Sequence, residues 1–257
     1  MTDADARLVS HDLARQTLPD EPISAAEWQV RRDLAAAYQL CARFGWDDLV
    51  YTHLSARVPG VADRFLLNPF GLSFAEVTAD NLVKIDGKGR LIGSPPYGVN
   101  AAGFTIHAAV HDARPEIDAV IHLHTEAGMS LSMLAEGLLP LSQHALRFYN
   151  RIAYHDYEGI ALSAAERDRL TASLGSHKAM VLRNHGTLTC GATVAEAFVL
   201  MVYLEKSART QLAALATGRP LTTPTPEVCE LTARQFEADG IPPGSREWPA
   251  LVRMLIT

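Results

Sequence analysis

The sequence predicts an α/β fold, and three observations carry that reading. Capping boxes open helices at Ser24-Ala25-Ala26-Glu27, Ser163-Ala164-Ala165-Glu166 and Thr193-Val194-Ala195-Glu196. In each, a hydroxyl can satisfy an early helix amide while the acid reaches back. Short apolar, partly β-branched runs of strand length lie between these helices. The first third of the chain alternates one helix with short strands placed to pair antiparallel. At 257 residues the chain can form one large α/β domain or two small ones.

Residues 1–22 read as a loose N-terminal arm closed by Pro19 and Pro22. The first helix starts after Ser24, with Ile23 and Trp28 at staple positions. Trp28, Leu34, Tyr38 and Cys41 recur near helical spacing and predict one buried face. Gly45 is placed to end the helix. Leu49 to Val58 reads as a strand, with His53 and Ser55 on one face by alternation. Arg64 to Leu67 is a second strand, running into the turn Asn68-Pro69-Phe70-Gly71. Leu82 to Ile85 and Arg90 to Ile92 flank Asp86-Gly87-Lys88-Gly89 as a hairpin. A helix from about Ala102 to Ala113 stops before Pro115.

Ala119 to His124 reads as a strand, and a helix from about Glu126 to Ala135 follows it. Leu138 to Gln143 is a loop or short strand, and Ile152 to Tyr157 another strand. The second capping box opens a helix to Leu174. Ala179 to Leu182 is an apolar strand ending in Arg183-Asn184-His185-Gly186. The third capping box opens a long helix to about Ala216. The proline-rich tail, residues 218–257, drapes over the body with Trp248 as its anchor.

Composition excludes several functions. The chain has 48% hydrophobic and 20% charged residues, ordinary for a protein with a sizeable core. The net charge of −6 and the lack of any Lys/Arg block argue against a nucleic-acid partner. No apolar run approaches a membrane span, and Met1 to Asp20 lacks the apolar core of a signal peptide. Cys41, Cys190 and Cys229 are odd in number without C-x-x-C spacing, which fits reduced thiols and a cytoplasmic location.

The chemistry-bearing residues are histidines. His122 and His124 stand at i, i+2 on one strand, so both rings point to the same face. Two imidazoles so placed are half of a site for Zn²⁺, Fe²⁺ or Mn²⁺, or two hydrogen-bonded core histidines. His107 and His111 stand at i, i+4 on a helix without the Glu of H-E-x-x-H, which favours packing or hydrogen bonding. His185 closes an apolar strand as His124 does, and is the best candidate for a third ligand. Three imidazoles would leave open positions, as catalytic sites do.

His122-Leu123-His124 after Arg114-Pro115-Glu116-Ile117-Asp118-Ala119-Val120, followed by Asn184-His185-Gly186, resembles the class II aldolase/adducin family. The resemblance covers about Ser24 to Ala216. It implies one domain, residues 23–217, with a three-layer α/β/α fold and a mainly antiparallel central sheet. It carries metal-ligand roles onto His122, His124 and His185, with zinc the leading ion and iron or manganese alternatives. It also implies a homotetramer with sites between neighbouring subunits.

The departures from the family pattern limit the substrate. The phosphate-binding Gly-Asn-x-Ser loop falls on Thr52-His53-Leu54-Ser55. Thr-Pro-Ser-Gly becomes Asn68-Pro69-Phe70-Gly71, and Ser-Ser-Glu becomes Ala101-Ala102-Gly103. Phosphate needs several hydroxyl and backbone donors, so an unphosphorylated substrate is expected. The catalytic glutamate would fall at Gly103 and is absent. The family's tyrosine proton donor, which reaches in from the next subunit, falls near His144. His144 is therefore a candidate acid or base, or else makes an interface hydrogen bond. Glu126 is the carboxylate nearest in sequence to His124. It is a candidate catalytic group, or a charge stabilised by a helix N-terminus.

These readings predict a metal-dependent lyase for retro-aldol cleavage or decarboxylation of a small carbonyl compound or hydroxy acid. The alternatives are a three-His non-haem iron oxygenase, also found in the family, and a non-catalytic adducin-like interaction module. The segment Leu138 to Arg151, with Phe148, Tyr149, Arg147 and Arg151, has the composition of a subunit interface.

Overall fold

A computed structural model describes residues 17–159, 164–238 and 240–256. Helix α1 (Ala25–Phe44) begins where Ser24 Oγ accepts the Glu27 amide and ends at Gly45, whose φ of 67° is left-handed. The Glu27 carboxylate does not return to Ser24. It is buried against Arg31 at 2.9 Å and Lys84 at 2.8 Å, so only half of the predicted box forms. Charged partners inside the protein outcompete a capping amide at the surface. Leu34, Tyr38 and Cys41 are buried as their spacing predicts, while Ile23 stays exposed and Trp28 is half-buried.

The strands are β1 (Thr17–Leu18), β2 (His53–Arg57), β3 (Arg64–Leu67), β4 (Val83–Asp86) and β5 (Leu91–Ile92). They continue with β6 (Ala119–Leu123), β7 (Ile152–His155), β8 (Ala179–Leu182) and β9 (Gly186–Gly191). They form one sheet in the order β1-β5-β4-β3-β2-β6-β9-β8-β7. Among the described residues only β1/β5 and β7/β8 pair parallel, so the sheet is mainly antiparallel.

Several boundaries differ from the sequence reading. The arm contributes Thr17–Leu18 to the sheet, because the free edge of β5 offers them a partner. The strand expected from Leu49 starts only at His53, since Leu49 and Thr52 have φ of 54° and 63°. Strand β9 was not foreseen. Its sequence Gly-Thr-Leu-Thr-Cys-Gly looks polar and glycine-flanked, yet every residue is buried, and Thr189 Oγ1 donates to Ala197 O at 2.8 Å. Glu21 of the arm pairs with Arg64 at 2.8 Å, while residues 1–16 and the cap at Ser163 lie outside the described residues.

The remaining helices are α2 (Ala101–Ala113), α3 (Glu126–Ser132), α4 (Gln143–Leu146) and α5 (Ala164–Leu174). After them come α6 (Val194–Leu215), α7 (Pro226–Glu237) and α8 (Trp248–Arg253). Alternation along β6 sorts the core into two layers. Ile121 faces a cluster with Leu34, Tyr38, Phe198 and Met201 from α1 and α6. Val120 faces Ile106, Val110, Leu170 and Leu174 from α2 and α5. The tail packs on the first layer: Trp248 meets Phe198 edge-on with ring centroids 5.6 Å apart, and its Nε1 donates to Asp33 at 3.0 Å. Among the described residues no helix is long and apolar enough to cross a membrane.

Candidate metal centre

The central strands bring three histidines together. His122 is buried on β6, directly opposite His53 of β2 and Leu188 of β9. His124 follows the end of β6. His185 sits in the turn between β8 and β9, where Asn184 takes a left-handed φ of 55°. Asn184 tolerates that conformation better than most residues. Gly186 permits the close approach of this turn to β6, since a Cβ there would lie 2.4 Å from Leu123 O. The three ring centroids are 4.8 Å apart in every pair, and one nitrogen from each ring lies within 4.8 Å of the others.

Hydrogen bonds set the tautomers. His122 Nδ1 donates to Thr187 O at 3.1 Å, and His124 Nδ1 donates to Asp48 Oδ2 at 2.9 Å. Each ring therefore keeps its lone pair on Nε2. The two Nε2 atoms face one another at 3.0 Å. Facing lone pairs repel unless a cation or proton lies between them, so the donor set fits a divalent ion. Burial, and then His185 and His124, hold the His122 imidazole well below its ordinary pKa. Burial, and then His124, bring His185 to about 4. Neutral rings with available lone pairs are what a metal requires.

Two carboxylates near these histidines were not singled out from the sequence. Asp48 orients His124, and the only signal was the acidic pair Asp47-Asp48 ahead of β2. Glu205 is buried on α6 and accepts the Thr125 hydroxyl at 2.5 Å. Thr125 in turn accepts the Gly128 amide at 3.0 Å, which fixes the start of α3 just after His124. Burial raises the pKa of Glu205. A carboxylate inside an otherwise apolar helical face was its sequence signal.

Glu126 is exposed in the first turn of α3, in a cleft of about 500 Å³ shared with Asp47, Asp48, His124, Glu205 and Arg209. His107 and His111 belong to a separate hydrogen-bonded cluster. Ser55 Oγ bonds His107 Nδ1 at 2.7 Å and His111 Nε2 at 2.9 Å, and His111 Nδ1 donates to Ile117 O.

His144 lies on α4, and its ring packs on Tyr203 of its own chain at 5.0 Å. The composition argument for an interface at Leu138–Arg151 needs correction. Phe148 is buried in its own core, and Arg147 lies between Tyr203 at 4.5 Å and Phe236 at 4.2 Å. Arg151 pairs with Glu230 and Glu237. Helix α7, in the stretch whose prolines predict an irregular tail, supplies three of these partners.

Comparison with known proteins agrees with the geometry. The profile of the family described as "Class II Aldolase and Adducin N-terminal domain" matches residues 32–212. The "Putative aldolase class 2 protein" of Caulobacter vibrioides is 49% identical over 234 residues, 91% of each chain. Alpha-adducin of Rattus norvegicus is 40% identical over 241 residues, covering 88% of this chain and 33% of adducin. The crystal structure of an aldolase II superfamily protein from Pseudomonas syringae superposes with a TM-score of 0.88 at 48% identity, covering 91% of this chain and 94% of that one. With its antiparallel sheet, its facing histidines and these likenesses, the chain belongs to the class II aldolase and adducin N-terminal domain family.

Proposed function

We propose that this protein is a metal-dependent carbon–carbon lyase acting on a small, unphosphorylated carbonyl compound or hydroxy acid by retro-aldol cleavage or decarboxylation. The observation that carries the reading is the pair of Nε2 lone pairs of His122 and His124 facing each other at 3.0 Å, with His185 beside them. Thr187 and Asp48 hold two of these rings in the tautomer that leaves Nε2 open. A divalent ion, zinc foremost, would supply Lewis-acid stabilisation of negative charge developing on a substrate oxygen. Phe70 and Gly103, where the family's phosphate-binding aldolases carry Ser and Glu, favour a substrate without phosphate.

His144 and Glu126 remain the proposed proton-transfer groups, His144 acting at a neighbouring subunit's site in a homotetramer. Cys41, Cys190 and Cys229 are buried and unpaired, which supports a reducing compartment such as the cytoplasm. The 40% identity to alpha-adducin supports a second reading, a non-catalytic interaction module.

Elemental analysis of the purified protein, followed by turnover assays on a panel of hydroxy and keto acids, separates the readings. The lyase reading expects about one bound divalent ion per chain and carbon–carbon cleavage of at least one panel member without O₂. Activity only with Fe²⁺ and O₂ would point to the oxygenase instead. Full metal loading with no turnover in an assembled tetramer would favour the adducin-like module.

A further inference from the structure

We infer that His53 is a substrate-binding residue of this centre, its imidazole standing in the space that Gly103 leaves without a side chain. The inference deepens the lyase reading and rests on it. The register of β2 and β6 sets His53 directly opposite His122. Directly opposed residues present their side chains on the same face of a sheet. Helix α2 crosses that face with Gly103 in its first turn. A Cβ on residue 103 would lie 2.2 Å from His53 Cε1 and 2.4 Å from Nδ1. The ring thus fills the volume that any side chain at 103 would require. The space beside the first turn of this helix is taken by a polar ring from the strand.

His53 is only 3% exposed, and its Nε2 has no hydrogen-bond partner among the described residues. A buried polar atom without a partner is costly, and a bound ligand is one reason for it to be kept. On the same face, His107 and His111 are each held by Ser55 through one ring nitrogen, with His107 Nε2 also left without a partner, whereas among the described residues no bond to another side chain holds the His53 ring. Imidazole can donate to or accept from an oxygen with little charge of its own. That suits the hydroxyl, carbonyl or carboxylate of a small hydroxy or keto acid. It does not replace the several donors a phosphate needs.

The test uses the full-length protein loaded with Co²⁺ and titrated with glycolate, read by the visible absorption of the ion. The wild type should change its spectrum on adding glycolate. His53→Ala should bind Co²⁺ as the wild type does but take glycolate roughly tenfold or more less tightly, as loss of a hydrogen bond to a charged group implies. His53→Gln, which keeps a polar side chain, should lose less. Gly103→Ala, which drives a methyl group into the ring, should weaken glycolate as well. Combined with His53→Ala it should add nothing further.

Equal glycolate affinity in wild type and His53→Ala would overturn the role of His53 and leave the lyase reading intact. Loss of Co²⁺ from both His53→Ala and His53→Gln would overturn it too, by assigning the residue to holding the ion. A wild type whose spectrum ignores glycolate, pyruvate and glyoxylate would overturn the lyase reading and the inference together.

Discussion

Asp48 controls which nitrogen His124 offers. With Nδ1 donating to the carboxylate at 2.9 Å, only Nε2 is left as a lone pair. Without Asp48 the ring can rotate or change tautomer, and a preorganised donor becomes one of several states. Asp48→Ala should therefore weaken Zn²⁺ binding by roughly 10–100-fold. The Asp48 side chain is 40% exposed, so thermal stability of the metal-free protein should hardly change. Competition with a chelating dye measures the first quantity and calorimetry the second. Unchanged zinc affinity would remove Asp48 from the centre. His122 is fixed differently, by a carbonyl on β9, and no side-chain substitution can remove that bond. These two neighbouring ligand candidates thus depend on different kinds of support.

Among the elements, α8 shows how the tail is held. It is short, and its anchor is Trp248, 8% exposed, packed edge-on against Phe198 and hydrogen-bonded to Asp33. The contact joins the tail to both α1 and α6, the two helices that cover one face of the sheet. Trp248→Ala removes a buried aromatic ring and its bond to Asp33. It should cost about 3–5 kcal/mol of unfolding free energy in urea titrations. A loss below about 1 kcal/mol would mean that the tail folds apart from the body. Helix α7 buries only the small side chains Cys229 and Ala233 and adds the forked contacts of Arg151 with Glu230 and Glu237. These pairs are partly exposed and are expected to contribute less than the Trp248 anchor.

For the whole molecule, pH is the variable to which so many buried imidazoles expose the fold. Burial first, and then His124, lower His53 from 6.5 to about 4. Burial and then Arg57 lower His111 to about 3, and burial also lowers His107. Each folded-state pKa lies below its unfolded value, so the unfolded chain binds more protons in acid. Stability is fully present above about pH 6.5 and falls as pH drops towards each folded pKa. Each histidine contributes a slope of up to about 1.4 kcal/mol per pH unit in that window. The metal-free protein should lose stability steeply between pH 6.5 and pH 4, the span from 6.5 to the value for His53. Saturating Zn²⁺ should raise the denaturation midpoint at pH 7.5 and do little at pH 4.5, because protons displace it from imidazole. Denaturant titrations across this range check both; a flat profile from pH 7 to pH 5 would contradict the buried neutral histidines.

What local sequence encodes here is what short windows can encode. Hydroxyls at Ser24 and Thr193 cap helices because the accepting oxygen lies three residues from its amide. Arg64–Leu67 and Ala179–Leu182 are strands within their predicted limits, because compact apolar runs leave little choice. The i, i+2 spacing of His122 and His124 already placed both rings on one face. Tertiary structure decided the rest. Glu27 gave up its capping role for Lys84, distant in sequence, and polar-looking β9 became a central strand because it is covered on both faces. Asp48 met His124, and the ring of His53 met the bare backbone of Gly103. Such pairings join segments separated by dozens of residues, and only closure of the sheet and packing of α2 across it selects among the partners that local chemistry allows.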